Sequence, residues 1–210
     1  MFPASSAIRN GGPAAYLSDL FGVLKYAATR ADVDPSRIAV AGFSFGGVLA
    51  LVSATKWANE QYLSGSPRIA AHAPFYPLCW VLKANAKGRP SPIPTEAWQT
   101  WSGAPVRIFA GGKDDYEDRD PNACQDAIDA LPESERKAFS TTVYPNATHG
   151  WDQQRGANFY EKLACKGRGC YNSNVPDAQI AQQSIRDLIE FLGKAMPPGA
   201  QNVGHESRRN

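Results

Sequence analysis

The chain lacks any apolar run near the roughly 18 uninterrupted residues that a transmembrane helix requires, so no membrane-spanning role is expected from the sequence. Its first residues, Met1-Phe2-Pro3-Ala4-Ser5, show neither the basic start nor the apolar stretch of a signal peptide. An excess of one charge is missing too. The 22 Lys and Arg side chains face 20 Asp and Glu, for a formal net charge of +2. Electrostatics therefore gives no reason to expect nucleic acid or an anionic membrane as a partner. Cysteine is scarce: Cys79, Cys124, Cys165 and Cys170 are too few for a disulfide-built scaffold of 210 residues. Cys165 and Cys170 flank Lys-Gly-Arg-Gly, and either close a small disulfide loop or stand as two reduced surface thiols. The paired ligand clusters of a structural zinc motif are absent, and no metal or other cofactor is expected. Histidine is scarcest of all, at three residues, which makes the search for a general base short.

What the sequence does contain is an alternation of strand-like and helix-like segments. Leu17, Leu20, Phe21, Leu24 and Ala28 fall on one face of a helix predicted over residues 14–30. Ile38-Ala39-Val40-Ala41 is a short apolar run suited to a buried parallel strand. Helical character resumes over 48–58 and again over 122–131, with strands expected over 69–75, 106–110 and 140–144. Ala181, Ile185, Leu188 and Leu192, widened by Ile189, predict the apolar face of a last helix. This order implies an α/β domain over residues 1–196, with a mostly parallel sheet flanked by helices. Residues 84–104, with three prolines and two tryptophans, read as a long ordered loop over one end of the sheet, and 197–210 as a disordered tail.

In such sheets reactive groups gather at the carboxyl ends of the strands, and three ends carry chemistry here. Gly42-Phe43-Ser44-Phe45-Gly46-Gly47 follows a strand and precedes a helix. A serine there sits on a sharp, strained turn, with small residues two before and two after it, and the Phe45 amide at the helix start can donate to an oxyanion. A serine hydroxyl needs a base. His72 lies within an apolar strand and His205 in the tail, which leaves His149 in the loop after the 140–144 strand. The base in turn needs a carboxylate to hold its tautomer. Asp114 and Asp115 both follow the 106–110 strand, in Gly111-Gly112-Lys113-Asp114-Asp115. The order Ser44, aspartate, His149 is that of the α/β-hydrolase architecture.

Phe43-Ser44-Phe45-Gly46-Gly47, Gly111-Gly112-Lys113-Asp114-Asp115 and Tyr144-Pro145 through His149-Gly150 resemble the three signature blocks of the dienelactone hydrolase family. The resemblance runs from about residue 14 to residue 195. It implies the α/β-hydrolase fold and makes Asp114, the first aspartate after the Gly-Gly-x segment, the triad acid. Cys124 falls where some relatives carry a cysteine. Dienelactone hydrolase itself has a cysteine at the elbow where this chain has Ser44, which favours a general carboxylesterase-like activity and makes His149 more essential. Only 43 residues precede Ser44. The family spends roughly twice that length on early strands, one of which ends in a loop that supplies a second oxyanion amide and whose loss typically costs about 100- to 1,000-fold in rate. Residues 1–13 show no strand pattern, so the first strands of the sheet are expected to be missing.

Tyr76, at the end of the strand beside the elbow, and Trp151 are candidates to border the substrate pocket, as are Trp98 and Trp101. The sequence thus predicts a metal-free serine hydrolase with Ser44 as nucleophile, His149 as base, Asp114 as orienting acid and the Phe45 amide as oxyanion donor. Its substrate would be a small carboxylic ester or lactone. A scaffold without an adequate oxyanion site, and a peptidase or acyltransferase on the same fold, stay open as alternatives.

Overall fold

The computed structural model describes residues 15–63, 65, 67–87 and 93–197. Four short apolar segments, β1 (Ala39–Phe43), β2 (Ala71–Phe75), β3 (Val106–Gly111) and β4 (Phe139–Tyr144), lie side by side in chain order as one parallel sheet. Ala39 pairs with Ala71, His72 with Val106, and Val106 with Phe139. Parallel neighbours must be joined by crossovers. α1 (Leu17–Ala28) leads into β1, and α2 (Phe45–Ser53) and α3 (Lys56–Tyr62) join β1 to β2. α4 (Cys79–Ala86) and a 3₁₀ turn at Thr95–Trp98 precede β3, and α5 (Ala123–Asp129) and α6 (Glu133–Arg136) precede β4. A hairpin follows, formed by β5 (Ala157–Glu161) and β6 (Cys170–Asn174) around the short turn α7 (Ala164–Gly167), and α8 (Ala178–Ala195) is the last helix.

Alternation along the strands feeds two cores. Val106, Ile108 and Ala110 of β3 pack with Leu17, Phe21 and Leu24 of α1, Leu51 and Val52 of α2, and Ile128 of α5. Phe109 turns the other way, with Ala71, Ala73 and Phe75 of β2, and meets Leu188, Phe191 and Leu192 of α8. β2 is buried along its whole length, as a strand covered on both faces must be. β1 is the edge: among the described residues no strand pairs with its outer side, and Ala41 and Phe43 are exposed. Residues 1–14, on which the expectation of missing first strands rests, and residues 198–210 of the expected tail lie outside the described residues.

Several expectations need correction. The helix predicted over 48–58 is two helices, broken where Thr55 caps α3 by accepting from the Ala58 amide and pairs with Trp101. The described residues of 84–104 lie at one end of the sheet, but not as a single loop. α4 runs into them, and Trp98 and Trp101 plunge into the core beside Thr55 and Phe139, at the amino ends of the strands. On α8, Ile185 and Ile189 are 55% and 64% exposed. The buried stripe is rotated onto Ala181, Ser184, Leu188, Phe191 and Leu192, because Phe191 fills the space over β3 and Ser184 accepts from the Trp151 indole. The β5–β6 hairpin has no counterpart in the pattern read from sequence. The reduced-thiol alternative also fails: Cys165 is bonded to Cys170, and Cys79 to Cys124, the latter linking the start of α4 to α5. A surface cleft of about 460 Å³, bordered by Lys56, Arg68 and Trp101, lies at the amino ends of the strands, the far end of the sheet from Ser44.

Two further titratable groups are buried in this frame, His72 under α2 and Glu117 in the turn that follows Asp114. His72 of β2 is fully buried under α2, with Nδ1–H directed at the Ala50 carbonyl (3.1 Å) and Ser53 Oγ 3.2 Å away. Its Nε2 has no partner among the described residues. Burial pushes this imidazole down to about 4. Glu117 accepts from the Cys79 and Trp80 amides at the start of α4, at 2.6 and 3.1 Å, and burial followed by the Asp114 charge pushes it up to about 8.

The two groups give stability opposite pH slopes. His72 is depressed in the fold, so its contribution is complete above its ordinary 6.5 and is lost as pH falls towards 4, a loss of about 3 kcal/mol. Glu117 is raised, so its contribution is complete below its ordinary 4.5 and is lost as pH rises through 8. Urea unfolding from pH 4 to 9 should show His72→Gln losing the acid-side slope and Glu117→Gln losing the alkaline-side slope. Parallel curves for a variant and the unsubstituted protein would contradict the assignment for that residue.

Candidate active site

The carboxyl ends of β1, β3 and β4 converge. β1 delivers Ser44 on a backbone with φ 52° and ψ −115°, at the N-terminus of α2. A non-glycine residue with positive φ is strained and persists only where its surroundings impose it. The Ser44 amide donates to the Phe75 carbonyl at 3.0 Å, which ties the turn to β2. Two glycines make the turn possible. A Cβ at Gly42 would lie 2.0 Å from the Gly46 carbonyl oxygen, and one at Gly47 2.6 Å from the Phe75 oxygen. The sequence pattern had assigned the second small position to Gly46, yet a Cβ there meets nothing within 4 Å. The demanding position is Gly47, where α2 crosses against β2.

The same economy of space joins the other two strand ends. A Cβ at Gly111 or Gly112 would lie 2.7 Å from the Ala147 or Pro145 carbonyl oxygen. The loop after β3 therefore lies directly on the loop after β4, with Gly112 donating to Tyr144 and Lys113 to Ala147 at 2.9 and 2.8 Å. This contact carries Asp114 to His149. His149 Nδ1 is 2.9 Å from Asp114 Oδ2, and its Nε2 is 2.8 Å from Ser44 Oγ. The carboxylate is an acceptor only, so it sets the proton on Nδ1 and leaves Nε2 to accept from the serine hydroxyl. Asp114 and His149 are 2% and 3% exposed, whereas Ser44 is half-buried, so the serine presents the accessible end of the chain of hydrogen bonds.

The ambiguity between the two aspartates is resolved by their partners. Asp115 points away, accepting from Arg119 Nε at 2.8 Å and from the Ser173 amide of β6 at 2.9 Å. It fastens the hairpin to the loop that carries Asp114. Asp114 also accepts from the Tyr116 amide through Oδ1 at 2.8 Å. The Phe45 amide belongs to the first residue of α2 and has no acceptor within the helix. It sits at the helix end whose dipole favours negative charge. Phe43 and Phe45, on either side of Ser44, are 46% and 45% exposed and form an apolar rim.

The aromatic candidates divide. Tyr76 is buried, with its ring centroid 4.7 Å from His149, so it belongs to the site's framework. Trp151 has no exposed surface; it packs behind Tyr76 against Tyr144 and Phe75, and cannot line a pocket in this conformation. Trp98 and Trp101 are at the opposite end of the sheet. Sequence reasoning missed Tyr116, whose ring centroid lies 4.3 Å from His149. Its one signal was proximity, two residues after Asp114. Among the described residues no cluster of His, Cys, Asp and Glu could hold a metal.

The fold is shared with solved esterases. The chain superposes on Thermogutta terrifontis esterase 2 phosphoramylated by tabun with a TM-score of 0.57 and 16% identity, over 90% of this chain and 67% of that one. Est1E from Butyrivibrio proteoclasticus gives 0.52 and 15%, over 88% and 72% of the two chains. The Pyrococcus furiosus esterase Pf2001 gives 0.50 and 15%, over 92% and 64%. No curated protein matches the chain in sequence. The model of the dienelactone hydrolase family matches residues 5–195. With a match over nearly its whole length on a parallel α/β sheet, the chain belongs to the dienelactone hydrolase family.

Proposed function

We propose that this member of a hydrolase family cleaves a carboxylic ester or lactone by serine catalysis through an acyl-enzyme. The observation that carries the reading is the continuous hydrogen-bonded line Ser44 Oγ, His149, Asp114, at 2.8 and 2.9 Å. Ser44 Oγ attacks the carbonyl carbon while its proton passes to His149 Nε2. The resulting imidazolium keeps its Nδ1–H on Asp114, whose buried charge stabilises it. The carbonyl oxygen becomes an oxyanion facing the Phe45 amide at the start of α2. His149 then returns the proton to the departing alkoxide, the alcohol leaves, and the acyl group stays on Ser44. Water, deprotonated by His149, attacks the acyl-enzyme and releases the acid. A lactone follows the same steps, with its own hydroxyl as the leaving group. The exposed faces of Phe43 and Phe45 favour an apolar acyl or alkyl portion beside the serine.

Ser44→Ala is expected to lower p-nitrophenyl butyrate turnover by about 10,000-fold or more with the fold unchanged by circular dichroism. Asp114→Asn leaves the shape but loses the selected tautomer, and should lower kcat by about 1,000- to 10,000-fold. A fluorophosphonate probe should label the protein at Ser44 and nowhere in the Ser44→Ala variant. Retention of full ester turnover by Ser44→Ala, or labelling at another residue, would overturn the assignment. Parallel assays on peptide substrates separate the esterase reading from a peptidase on the same fold.

A further inference from the structure

We propose that Tyr116 and Tyr76 are positioning residues for His149, their rings holding the imidazole on the line between Ser44 and Asp114 and favouring its protonated form. The proposal rests on the reading of His149 as the general base. The imidazole centroid is 4.3 Å from the Tyr116 ring and 4.7 Å from the Tyr76 ring. The planes are inclined by 40° at Tyr116 and by 63°, edge to face, at Tyr76, and both distances are inside the roughly 6 Å over which a cation above a ring face is attracted by its quadrupole. The neutral imidazole gains little from that attraction and the imidazolium formed during acylation gains more, so the contact acts selectively on the charged state.

Neither ring is free to drift. Tyr116 is packed against Leu78, Trp80 and Ala164, so the start of α4 and the turn inside the hairpin both brace it. The Tyr76 hydroxyl donates to Asp152 at 2.5 Å, and its ring meets Trp151 at 4.7 Å. Tyr76 adopts φ 34°, with its amide on the Phe109 carbonyl at 2.7 Å. A tyrosine takes that conformation only where its surroundings dictate it. Here they place the ring beside His149, and Asp152 and Trp151 keep it there. Both phenols stay neutral where an esterase would work. Burial, then the Glu161 charge, pushes Tyr116 up to about 12, and burial with the Asp152 hydrogen bond raises Tyr76 further.

The charged groups around the imidazole are carboxylates. Asp114 lies on Nδ1, Asp152 behind Tyr76, Glu161 beside Tyr116, and Glu117 close enough to Asp114 for their charges to interact. Substituting the Tyr116 ring changes the aromatic contribution without removing a side-chain hydrogen bond from any of these carboxylates, since Tyr116 meets Asp114 through its backbone amide.

The test follows the His149 ring protons by NMR titration in the Ser44→Ala background, with Tyr116 unchanged, Tyr116→Phe, Tyr116→Leu, and Tyr116→Met should leucine fail to fold. With Ser44 present, kcat and KM for p-nitrophenyl butyrate are measured across pH for the same substitutions and for Tyr76→Leu. The aliphatic variants are expected to lower the His149 titration midpoint by about half a pH unit, with phenylalanine leaving it in place. The acidic limb of the kcat/KM profile should move with the midpoint, and kcat should fall by about three- to tenfold with KM within about twofold. An unchanged midpoint and limb in Tyr116→Leu, or an equal drop in Tyr116→Phe, would overturn the proposal. If the unsubstituted protein turns over no ester, the general-base reading fails while the NMR titration still decides what the rings do to His149.

Discussion

The close crossing of α2 over β2 is the contact on which the site depends. At Gly47 the helix comes so near the Phe75 carbonyl that a single methyl group would not fit. That approach bends the chain at Ser44 into a positive φ, brings its amide onto Phe75, and aims the first turn of α2 at the space above the sheet. The strain at one serine is affordable because the two strands and the helix around it are pinned by the core of Leu51, Val52, Ile108 and their neighbours. If the crossing opened by an ångström, the serine hydroxyl would leave the reach of His149, since a hydrogen bond weakens steeply beyond its normal length.

A second close approach, of Gly111 and Gly112 onto the Ala147 and Pro145 carbonyls, does for Asp114 and His149 what the first does for Ser44. The site is therefore assembled by backbone-to-backbone contact rather than by long side chains reaching across a cavity. Short, rotamer-poor side chains placed by rigid main chain lose little entropy on taking up their geometry. Tyr76 and Tyr116 then pack against an imidazole whose backbone is already placed.

Much of this was legible in the sequence. Ser44, Asp114 and His149 each stand within five residues of the end of a strand-like segment, and with only three histidines there was little competition for the candidate base. The spatial identity of the tight glycine was not legible, because Gly46 and Gly47 are adjacent and only the direction in which α2 crosses β2 distinguishes them. Ile185 and Ile189 fitted a helical stripe as well as Phe191 did; tertiary packing over β3 chose between the two faces, and periodicity could not. The β5–β6 hairpin escaped notice because β5 is exposed almost throughout and has no buried alternation to read. Trp151 lies two residues after His149, which suggested a pocket wall, whereas the chain turns it inward beneath Tyr76.

The Cys79–Cys124 link joins segments 45 residues apart, and between them lie α4, the buried tryptophans, β3 and the loop bearing Asp114. Closing a loop of that size in the unfolded chain is worth about 4 kcal/mol on the chain-entropy model. The acid of the site thus lies on a tether fastened before and after it, and the second bridge, Cys165–Cys170, secures the hairpin that Asp115 grips. The thiol chemistry of the surroundings accordingly bears on the Ser44–His149–Asp114 constellation, although no cysteine is part of it. Where oxidants let both bridges form, the Asp114 loop arrives already confined. Where reductants keep the four sulfurs apart, the same residues must find each other through packing alone.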